Sequence, residues 1–146
     1  MGELAKAFNE LADMREKTTK ELVRVSNVVG REGKLSERAQ LRNAQGSWAM
    51  SIDAINSLID DLVRPTREVG RLLDAVAEGD LSQKTVLQIE GQPVKGEFAR
   101  IGATVNAMVD QLSAFAAEVT RVSREVGTEG QLGGQTRVKG VSGVRT

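Results

Sequence analysis

Apolar residues spaced alternately three and four positions apart are the feature that most constrains how this chain folds. The longest stretch keeps this spacing over nine consecutive apolar positions. A strip so narrow and regular is typical of a coiled-coil seam, whereas a helix of a globular domain has a broader apolar face. A long amphipathic helix packed on its own chain is the alternative interpretation. The nine seam positions are Phe98, Ile101, Val105, Met108, Leu112, Phe115, Val119, Val122 and Val126.

Two further stretches with the same spacing lie upstream. Residues 4–29 form the weaker one, because polar Arg15 and Thr18 interrupt its seam. Residues 55–76 form the stronger one, in which Pro65 occupies a seam position. The spacing predicts that the apolar members of this second stretch extend the dimer seam, and they are Ile55, Leu58, Leu62, Val69, Leu72 and Val76.

The three stretches are copies of one another. Phe8, Ile55 and Val105 correspond, which gives a repeat period of 47 and then 50 residues. Residues 21–35 and 118–132 are identical at nine of fifteen positions, including the glycines that similarity between heptads does not explain. A shared period of this size indicates a repeat array. Each copy has an asparagine directly after this seam position, and these are Asn9, Asn56 and Asn106. We expect them either to cap the layer, to hydrogen-bond across a dimer, or to lie exposed.

A glycine turn is predicted to end each helix. Gly33, Gly79 and Gly130 each follow a glutamate just past the last apolar position. Glycine adopts the left-handed conformation of a helix C-cap without strain. A connector of about 14–17 residues without helical period follows the first two turns, and the helix is predicted to restart near Ser47 and Glu97. A connector this long allows two parallel helices, whereas a loop of two to five residues would impose antiparallel ones.

The expected fold class is therefore all-α. Two short parallel helices expose more seam than they can bury alone, so a parallel homodimer is expected to close them into a four-helix coiled-coil bundle. The second helix of each unit continues into the first helix of the next without a loop signal. Consecutive bundles are therefore expected to stack end to end through continuous helices.

Composition excludes several kinds of site. The 146 residues include no Cys and no His, which removes the usual metal ligands, a thiolate nucleophile and the commonest general base. Basic and acidic residues number 20 each, so no excess positive charge favours nucleic acid or a membrane surface. We expect no catalytic residues, no metal, no cofactor, no nucleic-acid partner and no direct membrane insertion. The segment is expected to lie in the cytoplasm.

The residues between Pro65 and Met108 resemble a HAMP domain. Residues 65–81 supply a proline in the first helix and a Glu-Gly-Asp-Leu turn, and residues 96–98 supply a glutamate that opens the second helix. An apolar-Asn-x-Met motif follows at residues 105–108. The flanking copies resemble divergent HAMP units, and residues 122–135 are similar to poly-HAMP regions of hybrid sensor histidine kinases.

This resemblance implies signalling or structural roles for a small set of residues. They are Pro65, Gly79, Asp80, Leu81, Glu97 and Asn106. It also implies a division of the chain into residues 1–17 as the second helix of a truncated unit, 18–62 as a divergent HAMP unit and 63–113 as a HAMP unit. Residues 114–146 would be the first helix and connector of a further truncated unit.

The function implied by the resemblance is signal relay. The chain would transmit conformational changes within a dimeric sensor of a two-component phosphorelay, between flanking HAMP, sensor and kinase domains of the same parent chain. The parent, which the resemblance allows to be membrane-bound, would be a protein-histidine kinase, although this segment lacks a phosphoacceptor His. A structural coiled coil used for dimerisation or as a scaffold is the alternative function.

Overall fold

Helices dominate the computed structural model, which describes residues 2–86, 88–89 and 91–131. This helical content confirms the all-α class. The helices are α1, which continues directly into a π-helix, and the longer α2 and α3. Their bounds are Gly2–Val25 for α1, Ser26–Arg31 for the π-helix, Ser47–Ala77 for α2 and Gly96–Gln131 for α3.

Helix continuity follows the sequence prediction. Both α2 and α3 begin at the predicted restarts, and α3 runs without a break through the whole predicted seam. Pro65 lies inside α2 and is buried, and the helix continues past it to Ala77 although proline lacks the backbone N–H of a regular helical residue. The neighbouring Thr66 hydroxyl donates to the carbonyl of Leu62 at 2.6 Å.

One predicted helix end is wrong. The chain was expected to turn at Gly130, but α3 continues through this residue to Gln131. A glycine within a helix costs only about 1 kcal/mol relative to alanine, so one glycine does not by itself end a helix. Leu132, the last residue of the predicted turn, lies outside the described residues.

The other two glycine turns are confirmed. Gly79 has a φ of 90°, and its N–H donates to the carbonyl of Val76 at 2.9 Å while the N–H of Asp80 donates to that of Ala75 at 2.8 Å. These are the two bonds of a Schellman motif. Gly33, with a φ of 72°, occupies the corresponding place after the π-helix.

A short antiparallel ribbon lies in the second connector. Strands β1 (Gln88–Ile89) and β2 (Gln92–Pro93) pair so that Gln88 faces Pro93. Gly91, in the turn between them, has a φ of 78°. Two-residue strands are too short to produce a period-two pattern, and the sequence did not predict them.

The chain divides into two compact units, Met1–Arg67 (unit 1) and Glu68–Thr146 (unit 2). Each contains a helical segment, a connector and a second helical segment. The core of unit 1 consists of Val25, Ala39, Ile52, Ile59 and Val63. In unit 2, Leu72 and Val109 are completely buried. The boundaries predicted for the four sequence segments stay predictions.

Candidate functional site in the docked connectors

An asparagine side chain fastens the connector to the second helix of unit 1. The side-chain oxygen of Asn56 accepts from the backbone N–H of Ala39 at 2.8 Å, and its amide donates to the Ala39 carbonyl at 2.9 Å. Ala39 is only 3% exposed. Buried backbone groups need partners, and here one carboxamide satisfies both groups of a residue that belongs to no helix or sheet.

Unit 2 repeats this arrangement. The oxygen of Asn106 accepts from the N–H of Thr85 at 2.8 Å, and its amide donates to the Thr85 carbonyl at 3.0 Å. Exposure, one alternative expected for Asn56 and Asn106, is wrong, because both are half-buried and each side chain bonds the connector of its own unit. The cap on the layer and the bond across a dimer stay predictions. Asn9 does lie exposed.

A glutamate–arginine pair on the first helix of unit 1 holds the outer side of the connector. Arg24 bonds Glu21 at 2.8 and 2.9 Å, and it reaches across to the Glu37 carboxylate at 3.2 Å and the Arg38 carbonyl at 3.0 Å. Glu21 in turn accepts from the N–H of Gln40 at 2.7 Å. The pKa of Glu21 is lowered, mainly by the hydrogen bond from Arg24 and to a smaller extent by that from Gln40, although burial acts in the opposite direction.

The same pair recurs in unit 2. Glu68 bonds Arg71 at 2.5 Å, and Arg71 donates to the side chain of Gln83 in the connector. Gln83 occupies the place of Glu37 of unit 1, so the cation is retained while its connector partner changes from a carboxylate to an amide.

A third contact joins each connector to the second helix of its unit. Arg38 bonds Asp60 at 2.8 and 2.9 Å, and in unit 2 Lys84 pairs with Asp110. Sequence reasoning missed these pairs and the glutamate–arginine pairs. The available signal was the repeat period, because every partner in unit 1 has its counterpart 46, 47 or 50 residues later.

The glycine turn of unit 2 carries two further residues singled out from the sequence. The carboxylate of Asp80 accepts from the Ser82 hydroxyl at 2.6 Å, the Ser82 N–H at 3.0 Å and the Gln83 amide at 2.8 Å. These bonds, that of the Ser82 hydroxyl first, lower the pKa of Asp80. Leu81 is half-buried. Asp80 thus holds the start of the connector as well as following the helix end.

The remaining predicted signalling residue at a helix terminus is Glu97. It lies in the first turn of α3 and pairs with Arg100 at 2.7 Å. An acidic residue at this end favours the helix because of the positive end of the helix dipole. The structure therefore assigns Glu97 to its own helix terminus, whereas Gly79, Asp80 and Asn106 act on the connector.

The predicted seam residues are covered to very different extents within one chain. Leu72 is completely buried in unit 2. Half-buried positions are Ile55, Val69, Val76, Phe98, Ile101, Val105, Val122 and Val126. Exposed positions are Leu58, Leu62, Met108, Leu112, Phe115 and Val119.

Within residues 2–86, 88–89 and 91–131, no cluster of three or more potential metal-ligating side chains occurs. Among the helices described for this chain, none combines the length and apolarity needed to cross a membrane.

Two helices, a connector docked on them and a heptad seam define a helical linker module. Residues 43–114 match the family model described as HAMP domain, so the chain contains a HAMP domain. HAMP domains are non-catalytic linkers that relay signals in sensor proteins. No solved structure matches the chain.

The asparagine contact leads to a stability prediction. Asn106→Ala leaves both backbone groups of Thr85 without their partner, and Thr85 is 5% exposed. Each unsatisfied buried group costs about 1–3 kcal/mol, so we expect the free energy of unfolding to fall by at least about 2 kcal/mol in urea titration. Asn9→Ala is the matched control and should change it by less than about 0.5 kcal/mol. Equal effects of the two substitutions would contradict the assigned contact.

Asp80 leads to a prediction about pH. Because its native pKa lies below the ordinary value of 3.8, its contribution to stability is present above that value and is lost as the pH falls through the native pKa. Asp80→Asn should therefore lower the melting temperature at pH 7. The difference in melting temperature between this variant and the unsubstituted chain should shrink at pH 2.5. A difference that stays constant between these pH values would show that ionisation of Asp80 does not contribute.

Proposed function

We propose that this chain is a signal-relay linker in which units 1 and 2 are consecutive HAMP units of a parallel homodimer. The parent protein is a sensor of the hybrid histidine kinase type. The observation that carries the proposal is the exposed apolar seam, because docking of the connectors leaves it uncovered in a single chain.

The seam accounts for most of the exposed large apolar side chains among the described residues. Phe8 is 70% exposed and Phe115 is 68% exposed. Apolar surface that is contiguous and exposed commonly marks a protein interface. Nine of these exposed side chains keep the three–four spacing, and they are Leu4, Phe8, Leu11, Leu58, Leu62, Met108, Leu112, Phe115 and Val119.

The repeated connector contacts support a second HAMP unit in residues 1–67. Unit 1 has the same asparagine bonds, the same glutamate–arginine pair and the corresponding cation–aspartate pair as unit 2, whose residues 68–114 lie within the matched region. A third glutamate–arginine pair, Glu118 with Arg121, lies at the corresponding place on α3. It supports a further repeat beginning in that helix.

Relay through such an array relies on the continuous helices. Since α2 supplies the second helix of one unit and the first helix of the next, a change in its packing in one bundle must alter the other. A stimulus shifts a conformational equilibrium only through its differential affinity for two states, so the bundle must have two packings close in energy. Polar Thr18 and Arg15 on the seam of unit 1 would keep one packing from being strongly favoured.

The histidine-kinase context rests on the resemblance of residues 122–135 to poly-HAMP regions of hybrid kinases. The phosphoacceptor and the catalytic domain would lie elsewhere in the parent chain, with sensor and further HAMP domains flanking this segment in the cytoplasm. A coiled coil used only as a scaffold is less favoured, because a spacer rod has no need for connectors that are docked by contacts at corresponding positions in each unit.

Single cysteines in this cysteine-free chain test the dimer. Leu112→Cys and Val119→Cys place the thiol on the seam, whereas Ala114→Cys and Ala117→Cys place it on exposed positions away from the seam. A disulfide needs Cα atoms within about 7 Å of each other. Mild oxidation should therefore give rapid covalent dimers for the two seam variants and at least tenfold slower cross-linking for the two controls.

Equal rates at all four positions, or no covalent dimer at the seam, would overturn the parallel in-register homodimer. The relay itself is then tested in the full-length parent. There, conservative Leu112→Ile should change the kinase output, and Ala114→Ser should leave it unaltered. An output insensitive to Leu112→Ile would favour the scaffold function.

A further inference from the structure

The two units differ in length at one place in the first helical segment. Before this place, the spacing between corresponding residues of the two units is 47, as between Glu21 and Glu68 and between Arg24 and Arg71. After it, the spacing is 46, as between Gly33 and Gly79 and between Ala39 and Thr85. Unit 1 therefore contains one extra residue between the glutamate–arginine pair and the glycine turn.

The π-helix lies where the extra residue falls. Within Ser26–Arg31 and just after it, the N–H of Glu32 donates to Asn27 five residues back at 2.9 Å, and that of Lys34 donates to Val28 six residues back at 3.0 Å. A π-turn holds about one residue more than an α-turn. The π-helix therefore accommodates the extra residue, so that the contacts on both sides of it match those of unit 2.

A nearly identical sequence in α3 adopts the other helix type. Residues 118–132 carry the same extra residue, since Val122 and Gly130 are eight positions apart, as Val25 and Gly33 are. The residues that correspond to the π-helix lie within the α-helix Gly96–Gln131.

Arg24 and Arg121, the corresponding arginines of these two copies, have different partners. Arg24, before the π-helix, donates to Glu37 in the connector, whereas Arg121, in the α-helix, bonds Glu125 on its own helix at 2.7 Å. In the two copies that carry the extra residue, the π form therefore accompanies an arginine that bonds a docked connector, and the α form accompanies an arginine whose partners among the described residues lie on its own helix.

We propose that Ser26–Arg31 is a switchable helix segment that stores one residue as a π-turn while the connector of unit 1 is docked and releases it as α-helix when the connector shifts. In the α form, the extra residue moves the Gly33 turn by about 1.5 Å along the helix and by about 100° around it. The connector contacts then fall out of register. The inference rests on the proposed relay only for the use of this switch in signalling.

A pair of single-residue deletions tests the stored residue. Gly30 is exposed and has no atom within 4 Å of where a Cβ would lie, and its deletion gives unit 1 the spacing of unit 2. We expect the chain lacking Gly30 to keep or raise its melting temperature, because the docked connector then follows a regular α-helix. Deletion of Ala77, at the same place in unit 2, removes a residue that is not stored and should lower the melting temperature by 5 °C or more.

Two equally destabilising deletions would overturn the stored-residue inference, and both measurements use the chain alone, without cross-linking. They are thus independent of whether the seam forms the proposed dimer. If the seam variants fail to cross-link while the deletions differ, only the relay proposal falls.

Backbone NMR tests the coupling to the connector directly. Arg24→Ala removes the bonds to Glu37 and to the Arg38 carbonyl. The backbone contacts of residues 26–31 should then change from the π-helical spacing of five residues to the α-helical spacing of four. Lys17→Ala is the matched control, because Lys17 pairs only along its own helix, with Asp13, among the described residues, and it should leave the π-helix in place. A π-helix that persists in Arg24→Ala would overturn the coupling.

Discussion

The hydrogen bonds from Asn56 and Asn106 to the connector backbone are the constraint on which the rest of this structure depends. Ala39 and Thr85 belong to no helix or strand, so no regular backbone partner satisfies their buried N–H and carbonyl groups. One carboxamide supplies both a donor and an acceptor, so each asparagine fixes the connector at a single residue, Ala39 or Thr85. Charged side chains of the helices then hold connector residues next to that point, which are Glu37, Arg38 and Gln40 in unit 1 and Gln83 and Lys84 in unit 2.

Docking of the connectors determines which apolar side chains remain available. Ile52, Ile59 and Val63 are buried in the core of unit 1, and Val109 is buried in unit 2. The neighbouring seam residues Leu58 and Leu112 stay 51% and 38% exposed. A single chain therefore buries one stripe of these helices and leaves the adjacent stripe exposed, which is the arrangement that the proposed dimeric bundle requires.

Much of the fold follows from the sequence, because its signals are local. The restarts at Ser47 and Gly96 and the turns at Gly33 and Gly79 each rest on a few neighbouring residues. The connector contacts were not predicted, because a helix pattern does not reveal on which side of Asn106 the connector passes. The π-helix was implicit in the change of repeat spacing from 47 to 46 residues, but spacing alone does not say how a helix accommodates an extra residue.

Sedimentation equilibrium of the purified chain at micromolar concentration tests the central claim most directly, since the account proposes that a second copy covers the exposed seam. The account predicts a mass twice the 15.7 kDa of one chain, and return to the single-chain mass in Leu112→Asp. An unsubstituted chain that sediments as a monomer, or a Leu112→Asp chain that stays dimeric, would contradict the account.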